Sequence, residues 1–141
     1  MSNTFYTDLK FGQYYERLLT RIIKNDGYEF CNNKDYDVKM VENGKEQIYE
    51  VKTDRFTNKT NNICIEFECN NKPSGITSTK ANRYAYFVLK PDDKYDLYII
   101  PTKSILKRIR KEMYKRIICC GDNKMSKTYL FDKEVFKKYL I

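Results

Sequence analysis

Three residues have the types and the spacing to do chemistry together: Asp37, Glu50 and Lys52. Asp37 lies in the run Asp35-Tyr36-Asp37-Val38-Lys39-Met40, and the other two in Tyr49-Glu50-Val51-Lys52. Both runs alternate polar and apolar residues, the period of a half-buried strand. Asp35, Asp37 and Lys39 share one face, opposite Tyr36, Val38 and Met40; Glu50 and Lys52 lie opposite Tyr49 and Val51. Between the runs, Glu42-Asn43-Gly44-Lys45 supplies the positive φ that a tight hairpin needs. The predicted hairpin presents Asp37, Glu50 and Lys52 side by side. Two carboxylates and an ammonium on a rigid sheet can hold a hard divalent cation, Mg²⁺ or Mn²⁺, beside a phosphate. The plainer alternative is a cross-strand salt bridge on a solvated face, worth little. Glu-x-Lys is common by chance in a chain so rich in both residues, so the pattern alone does not decide.

The composition narrows the chemistry further. The chain has no histidine, which excludes a Ser-His-Asp triad, a His-Cys nucleophile pair and a His-ligated zinc. Cys31, Cys64, Cys69, Cys119 and Cys120 lack the paired spacing of a zinc site and read as reduced thiols in a cytosolic setting. Phosphodiester hydrolysis without histidine requires an activated water, stabilisation of developing charge and a positioned proton acceptor. Asp37 and Glu50 supply the cation site, and Lys52 can orient the water or offset charge at the phosphate. The net charge of +8 favours a polyanionic partner, although solubility explains it equally well.

The elements that must position these residues follow from periodicity. A first helix is predicted from Thr7 or Asp8 to about Asn25, with Phe11, Tyr15, Leu18, Leu19, Ile22 and Ile23 on one stripe. Glu16 sits at the edge of that stripe, where it could lean toward the sheet or simply face solvent. Tyr28 to Cys31 reads as a short edge segment. Ile63 to Cys69 is a third alternating strand, with Glu66 and Glu68 on its polar face. Asn70 to Gly75 is a turn, and Ile76 to Asn82 has room for one or two helical turns capped by Ser74 or Thr77. Tyr84 to Leu89 and Asp96 to Ile100 form a further hairpin around Pro91-Asp92-Asp93-Lys94. A second long helix is predicted from Thr102 or Ser104 to about Ile117, on Ile105, Leu106, Ile109, Met113 and Ile117. Asp132 can cap a short C-terminal helix that packs through Val135, Phe136 and Tyr139. The expected fold is α/β: one domain over 1–141, with a mixed central sheet in the order α-β-β-β-α-β-β-α, helices on one face and a cleft on the other.

Two segments offer contacts to nucleic acid. Ser74, Thr79 and Lys80 bring hydroxyls, backbone N–H groups and a cation to a predicted helix start, which suits a phosphate; a capped turn is the plainer reading. Lys107, Arg108 and Lys111 belong to the basic helix, which could track a phosphate backbone or merely face water.

Asp37 followed by Glu50-Val51-Lys52, behind a helix carrying Glu16, resembles the PD-(D/E)XK nuclease superfamily, the restriction-endonuclease-like fold that includes archaeal Holliday-junction resolvases. The run from Ile65 to Tyr84, with Lys72-Pro73-Ser74-Gly75-Ile76 at its centre, is similar to the segment that follows Glu-x-Lys in phage and viral members. The resemblance covers about residues 8 to 100 and extends less closely to Gly121 and beyond. It implies that Asp37, Glu50 and the Val51 carbonyl are metal ligands, that Lys52 is the catalytic lysine, and that Glu16 matches a helix-borne glutamate some members add. The proline of the family name is replaced by Tyr36, and Asn82 stands where an acidic residue is usual. Asp35 rivals Asp37, on the same face two residues away; the register favours Asp37.

The expected function is therefore a Mg²⁺- or Mn²⁺-dependent deoxyribonuclease, with branched or recombining DNA among its substrates by resemblance and simple endonuclease or single-strand nuclease activity as a near-equal alternative. DNA, or RNA, would be held by Lys80, Arg83 and the basic helix. Members of the resolvase branch usually pair, which makes a homodimer a further expectation. Two other readings stand beside it: an inactive nucleic-acid-binding module on the same fold, and a protein-binding factor of viral origin. Absence of a secretory signal or an apolar span of roughly 20 residues predicts a cytoplasmic, membrane-free protein.

Overall fold

A computed structural model describes residues 2–141 apart from positions 32 and 34, with the backbone alone for residues 2–9 and for 122. Helix α1 (Ser2–Ile22) is followed by an antiparallel meander of β1 (Tyr28–Phe30), β2 (Val38–Glu42) and β3 (Lys45–Asp54). Asn43 and Gly44 form the β2–β3 turn at φ 52° and 78°, with Glu42 opposite Lys45. That is the two-residue turn the Asn-Gly pair predicts.

After β3 the chain leaves this sheet through α2 (Thr57–Thr60), β4 (Asn62–Cys69), β5 (Lys72–Pro73) and a 3₁₀ turn (Gly75–Thr77). It returns as β6 (Arg83–Leu89), parallel to β3 with Glu50 beside Tyr84, and then as β7 (Tyr95–Pro101), antiparallel to β6. The first sheet thus has the order β1-β2-β3-β6-β7. Helix α3 (Thr102–Arg110), β8 (Arg116–Cys120), β9 (Ser126–Asp132) and a 3₁₀ segment (Lys133–Tyr139) complete the chain. Asp132 caps that last segment, accepting from the Glu134 N–H.

The fold is mixed α/β with two sheets, where the sequence predicts one. Strand β4 pairs with β9 in the sheet β5-β4-β9-β8 and not with the β2–β3 hairpin. The physical reason lies in β6, which is apolar on both faces and buried along most of its length. Its Ala85 and Phe87 join Leu19, Val38, Met40 and Tyr49 in a core under α1. Its Tyr84, Tyr86 and Val88 pack against Ile63, Ile65, Phe131 and Phe136 in a second core. The face predicted to be an open cleft is therefore largely covered by the second sheet.

The boundaries of both long helices also differ from expectation. Helix α1 runs through Thr7 and Asp8 and ends at Ile22, where the Asn25 amide donates to the carbonyls of Thr20 and Ile23. Helix α3 stops at Arg110, seven residues before Ile117. Glu112 takes a left-handed φ of 54°, its N–H donates to Ile109 O, and Met113 N–H donates to Arg108 O. This is a Schellman stop. Ile117 then lies on β8, paired with Tyr129 of β9. A non-glycine residue at such a stop costs about 1 kcal/mol. Glu112→Gly is accordingly expected to raise the midpoint of thermal unfolding by about 3 °C, and calorimetry of the two proteins checks it.

Among the described residues no helix is long and apolar enough to cross a membrane. The cysteines are all unpaired.

Candidate active site

Asp37 sits immediately before β2, tied in by its N–H to Tyr49 O at 3.0 Å and by the Cys31 N–H to its own carbonyl at 3.0 Å. Its Oδ2 accepts from the Val51 N–H at 2.7 Å. The carboxylate thus continues the β2–β3 ladder one step past the end of β2. Within a strand the N–H and C=O of one residue point to the same edge. The Val51 carbonyl therefore faces the side of β3 on which Asp37 lies.

Glu50 is the centre of the arrangement, with only 13% of its side chain exposed. Its Oε1 accepts from Thr79 Oγ1 at 2.7 Å, and its Oε2 lies 3.6 Å from Lys52 Nζ. Lys52 keeps 41% of its side chain in solvent, so it bridges the buried acid and the outside. Burial pushes the Glu50 carboxyl above its usual range; the Lys52 ammonium opposes this, the Asp37 charge adds to it, and the Thr79 hydrogen bond pulls it back. Glu16 faces the same acids from α1. Burial first, then the charges of Asp37 and Glu50, push its carboxyl up to about 7.

The loop before β6 supports these carboxylates. Thr79 Oγ1 also lies 3.2 Å from Asp35 O, and the Lys80 N–H donates to the same carbonyl at 2.7 Å. Asp35 itself is paired with Lys80 Nζ at 3.3 Å. Of the two rival aspartates, Asp37 is the one beside Glu50. Asn82 ties the loop to β3, accepting from the Ile48 N–H and donating to Gln47 Oε1, both at 2.7 Å. Asn82 is thus a structural link between this loop and β3.

Two further groups belong here. Tyr84 stands beside Glu50 in the β3–β6 register, is 1% exposed, and its hydroxyl has no partner among the described residues. Burial, and then the charges of Glu50, Asp37 and Glu66, push its phenol well above the usual range, so it stays a neutral donor. Glu66 on β4 accepts from Ser74 Oγ at 2.8 Å. Strand alternation puts Glu66 on a polar face, but only the parallel pairing of β3 with β6 brings Tyr84 to Glu50. No local pattern in the sequence carries that.

Several expected nucleic-acid contacts are placed otherwise. Ser74 Oγ is turned onto Glu66, and Thr79 onto Glu50. Both build the site from inside instead of offering hydroxyls to a phosphate. Of the three, Lys80 extends outward, with 70% of its side chain exposed. Arg83 lies beside Tyr49, on the face under α1, with Nη1 3.2 Å from Glu42 Oε1 and 3.0 Å from Tyr49 OH. Strand alternation puts that face opposite Glu50, so the expected phosphate contact does not fit Arg83. Lys107, Arg108 and Lys111 do cluster. With Lys138 they line a cavity of about 280 Å³, and none of the four is in an ion pair among the described residues. Arg108 is held over the Phe136 ring at 5.6 Å.

Among the described residues no three acidic, histidine or cysteine side chains close around one point. The oxygens gathered here are the carboxylates of Asp37 and Glu50 and the Val51 carbonyl, with the Glu16 carboxyl alongside. All are hard donors suited to Mg²⁺ or Mn²⁺. Burial is the first cause that raises Glu50 and Glu16, and the neighbouring acid charges add a part of the kind a cation relieves.

A stability measurement follows from Glu16. Its folded value, about 7, lies above the ordinary 4.5. The acid form favours folding, so its contribution is full below about pH 4.5 and is lost as pH rises through about 7. In EDTA, Glu16→Gln should unfold at the same temperature as wild type near pH 4 and a few degrees higher at pH 8. Millimolar Mn²⁺ should then recover more stability for wild type than for the variant. Melting curves across pH test both.

No family model, no curated protein and no solved structure matches this chain.

Proposed function

We propose that the protein is a metal-dependent nuclease of the restriction-endonuclease-like kind, acting on DNA. The observation that carries this reading is the meeting of Asp37, Glu50 and Lys52 on neighbouring stretches of one sheet, with Asp37 anchored on the Val51 N–H. The meander β1-β2-β3 followed by β6 parallel to β3 supports the same reading. So does a partly exposed cation standing directly over a buried carboxylate, an arrangement costly to maintain for stability alone.

A divalent ion bound by Asp37, Glu50 and the Val51 carbonyl would polarise the phosphoryl oxygen and acidify water. The chain's own residues do the rest. Thr79 fixes the Glu50 rotamer, and the Val51 N–H fixes Asp37, so neither must reorganise when substrate arrives. Lys52 reaches from Glu50 into solvent, where it can orient an attacking water and offset charge on the phosphate. Tyr84 holds a neutral O–H beneath the carboxylates. Lys80 stands at the rim as a cation for the nucleic-acid backbone, and the cluster of Lys107, Arg108, Lys111 and Lys138 offers a further phosphate contact.

Incubation with single-stranded, duplex and four-way-junction DNA in Mg²⁺ or Mn²⁺ tests the reading, with EDTA and Asp37→Ala as controls. Cleavage should require the metal and vanish in the variant. Equal cutting by wild type and Asp37→Ala would remove the mechanism. Salt-sensitive DNA binding with no cutting would instead identify an inactive binding module on this fold.

A further inference from the structure

A cavity of about 760 Å³ lies apart from the cluster of Asp37, Glu50 and Lys52. It opens where β3 ends and lies between that end, α1 and the second sheet, lined by Thr53, Asp54, Arg55 and Phe56 on one side and by Ile118 and Leu130 on another. Its size is within the roughly 300–1,000 Å³ of small-molecule sites. Phe56 stands at its wall with 72% of its surface in solvent. Arg55 lies over the Phe11 ring at 4.6 Å, and Arg116 contributes a second cation.

Two features separate this cavity from an incidental gap. The backbone under the exposed phenylalanine is pinned: Asp54 Oδ1 accepts from the Phe56 N–H at 2.6 Å and the Thr57 N–H at 2.9 Å. Tyr86 OH donates to the other Asp54 oxygen, so the loop's conformational entropy is already spent. The charge is one-sided as well. Asp54 is the one acid among the described lining residues, and its oxygens are turned onto those three partners, leaving Arg55 and Arg116 uncompensated there. An aromatic platform, an apolar floor and two arginines match a nucleotide, whose base stacks while its phosphate meets cations.

Position along the strand supplies the link to the reaction. Asp54 follows Lys52 by two residues, about 7 Å at a strand's rise, or roughly two steps of a stacked nucleic-acid strand. We infer that this cavity receives an unpaired nucleotide of the substrate, its base stacked on Phe56 and its phosphate met by Arg55 and Arg116, next to the phosphate held at Lys52. The inference rests on the nuclease reading and narrows its substrate to nucleic acid with a single-stranded stretch beside the cut.

The chain contains no tryptophan, so Phe56→Trp introduces a unique reporter at the platform. With EDTA, where metal-dependent cutting does not occur, a short oligothymidine should quench that fluorescence saturably, and a blunt duplex should not. Phe56→Ala, also in EDTA, should bind the oligothymidine about 10- to 100-fold more weakly, the loss of one stacked base, with duplex affinity unchanged. Absence of quenching, or equal losses for single strand and duplex, would overturn the cavity's role. The two readings fail separately. Metal-dependent cleavage by wild type without Phe56-dependent binding leaves the nuclease and removes the pocket. Phe56-dependent binding without any cleavage leaves a single-strand-binding site and removes the nuclease.

Discussion

Lys52→Met is expected to lower the rate of metal-dependent phosphodiester cleavage by about 10²–10³-fold, the usual cost of deleting one charge-stabilising donor. Lys52 is partly exposed and belongs to neither apolar core, so the substitution removes little packing. Its ammonium is 3.6 Å from Glu50 Oε2 and counters part of the upward push on that carboxyl. Without it, Glu50 moves further toward the neutral form in the metal-free protein, while Asp37 keeps its anchor on Val51. The variant should therefore still gain thermal stability from Mn²⁺, though less than wild type, and should retain its affinity for DNA within a few-fold. Single-turnover cleavage and melting curves with and without Mn²⁺ separate these effects. An unchanged cleavage rate would mean that Lys52 takes no part in the reaction.

The largest effect on stability is expected at Gly75. Its φ is +52°, and a Cβ built there would lie 2.1 Å from Glu66 O and 2.8 Å from Glu66 C. Both obstacles are backbone atoms of β4, which cannot rotate away as a flexible side chain can. The left-handed conformation alone costs a larger residue about 1–2 kcal/mol, and the collision adds to it. Gly75→Ala should lose about 3 kcal/mol or more in total, lowering the unfolding midpoint by about 10 °C. Gly44→Ala is the matched comparison, with φ +78° and nothing within 4 Å of the added carbon. It should lose only the conformational part, about 1 kcal/mol. Chemical denaturation of both gives the steric term by difference. Similar losses would show that β4 yields easily. Because Ser74 and Thr79 flank this turn and hold Glu66 and Glu50, Gly75→Ala should depress cleavage as well.

The basis of that second prediction also explains how much of the site could be read in advance. The β2–β3 hairpin was legible because its determinants are local. Asn43-Gly44 sets the turn, the turn sets the register, and alternation then assigns Glu50 and Lys52 to one face and Tyr49 and Val51 to the other. Asp37, one residue before its strand, falls within the same logic. The support of the site was not legible. Thr79 meets Glu50 across 29 positions, and Tyr84 meets it through a parallel pairing. Hydroxyls that look free for a phosphate in the sequence are engaged by acids brought from other strands.

Helix α3 shows the opposite error. Ile105, Ile109, Met113 and Ile117 are spaced four apart and mimic one continuous helical stripe. The chain nevertheless turns at Glu112, because β9 offers the segment from Arg116 a strand to pair with. Periodicity reports which residues want burial together but not which partner buries them.

By itself, then, the sequence determined the local geometry of the site: the hairpin, the face bearing its two acids and its lysine, the chemistry open to a chain without histidine, and the apolar stripe of α1 with Glu16 at its edge. Tertiary structure alone decided that there are two sheets, that Arg83 faces away from Glu50, that Glu16, Tyr84 and Glu66 join the acids, and that a cavity opens at the end of β3. The reason is range. Turn and strand preferences act over a few residues, whereas these outcomes depend on which apolar faces meet, and β6 was free to bury both of its own.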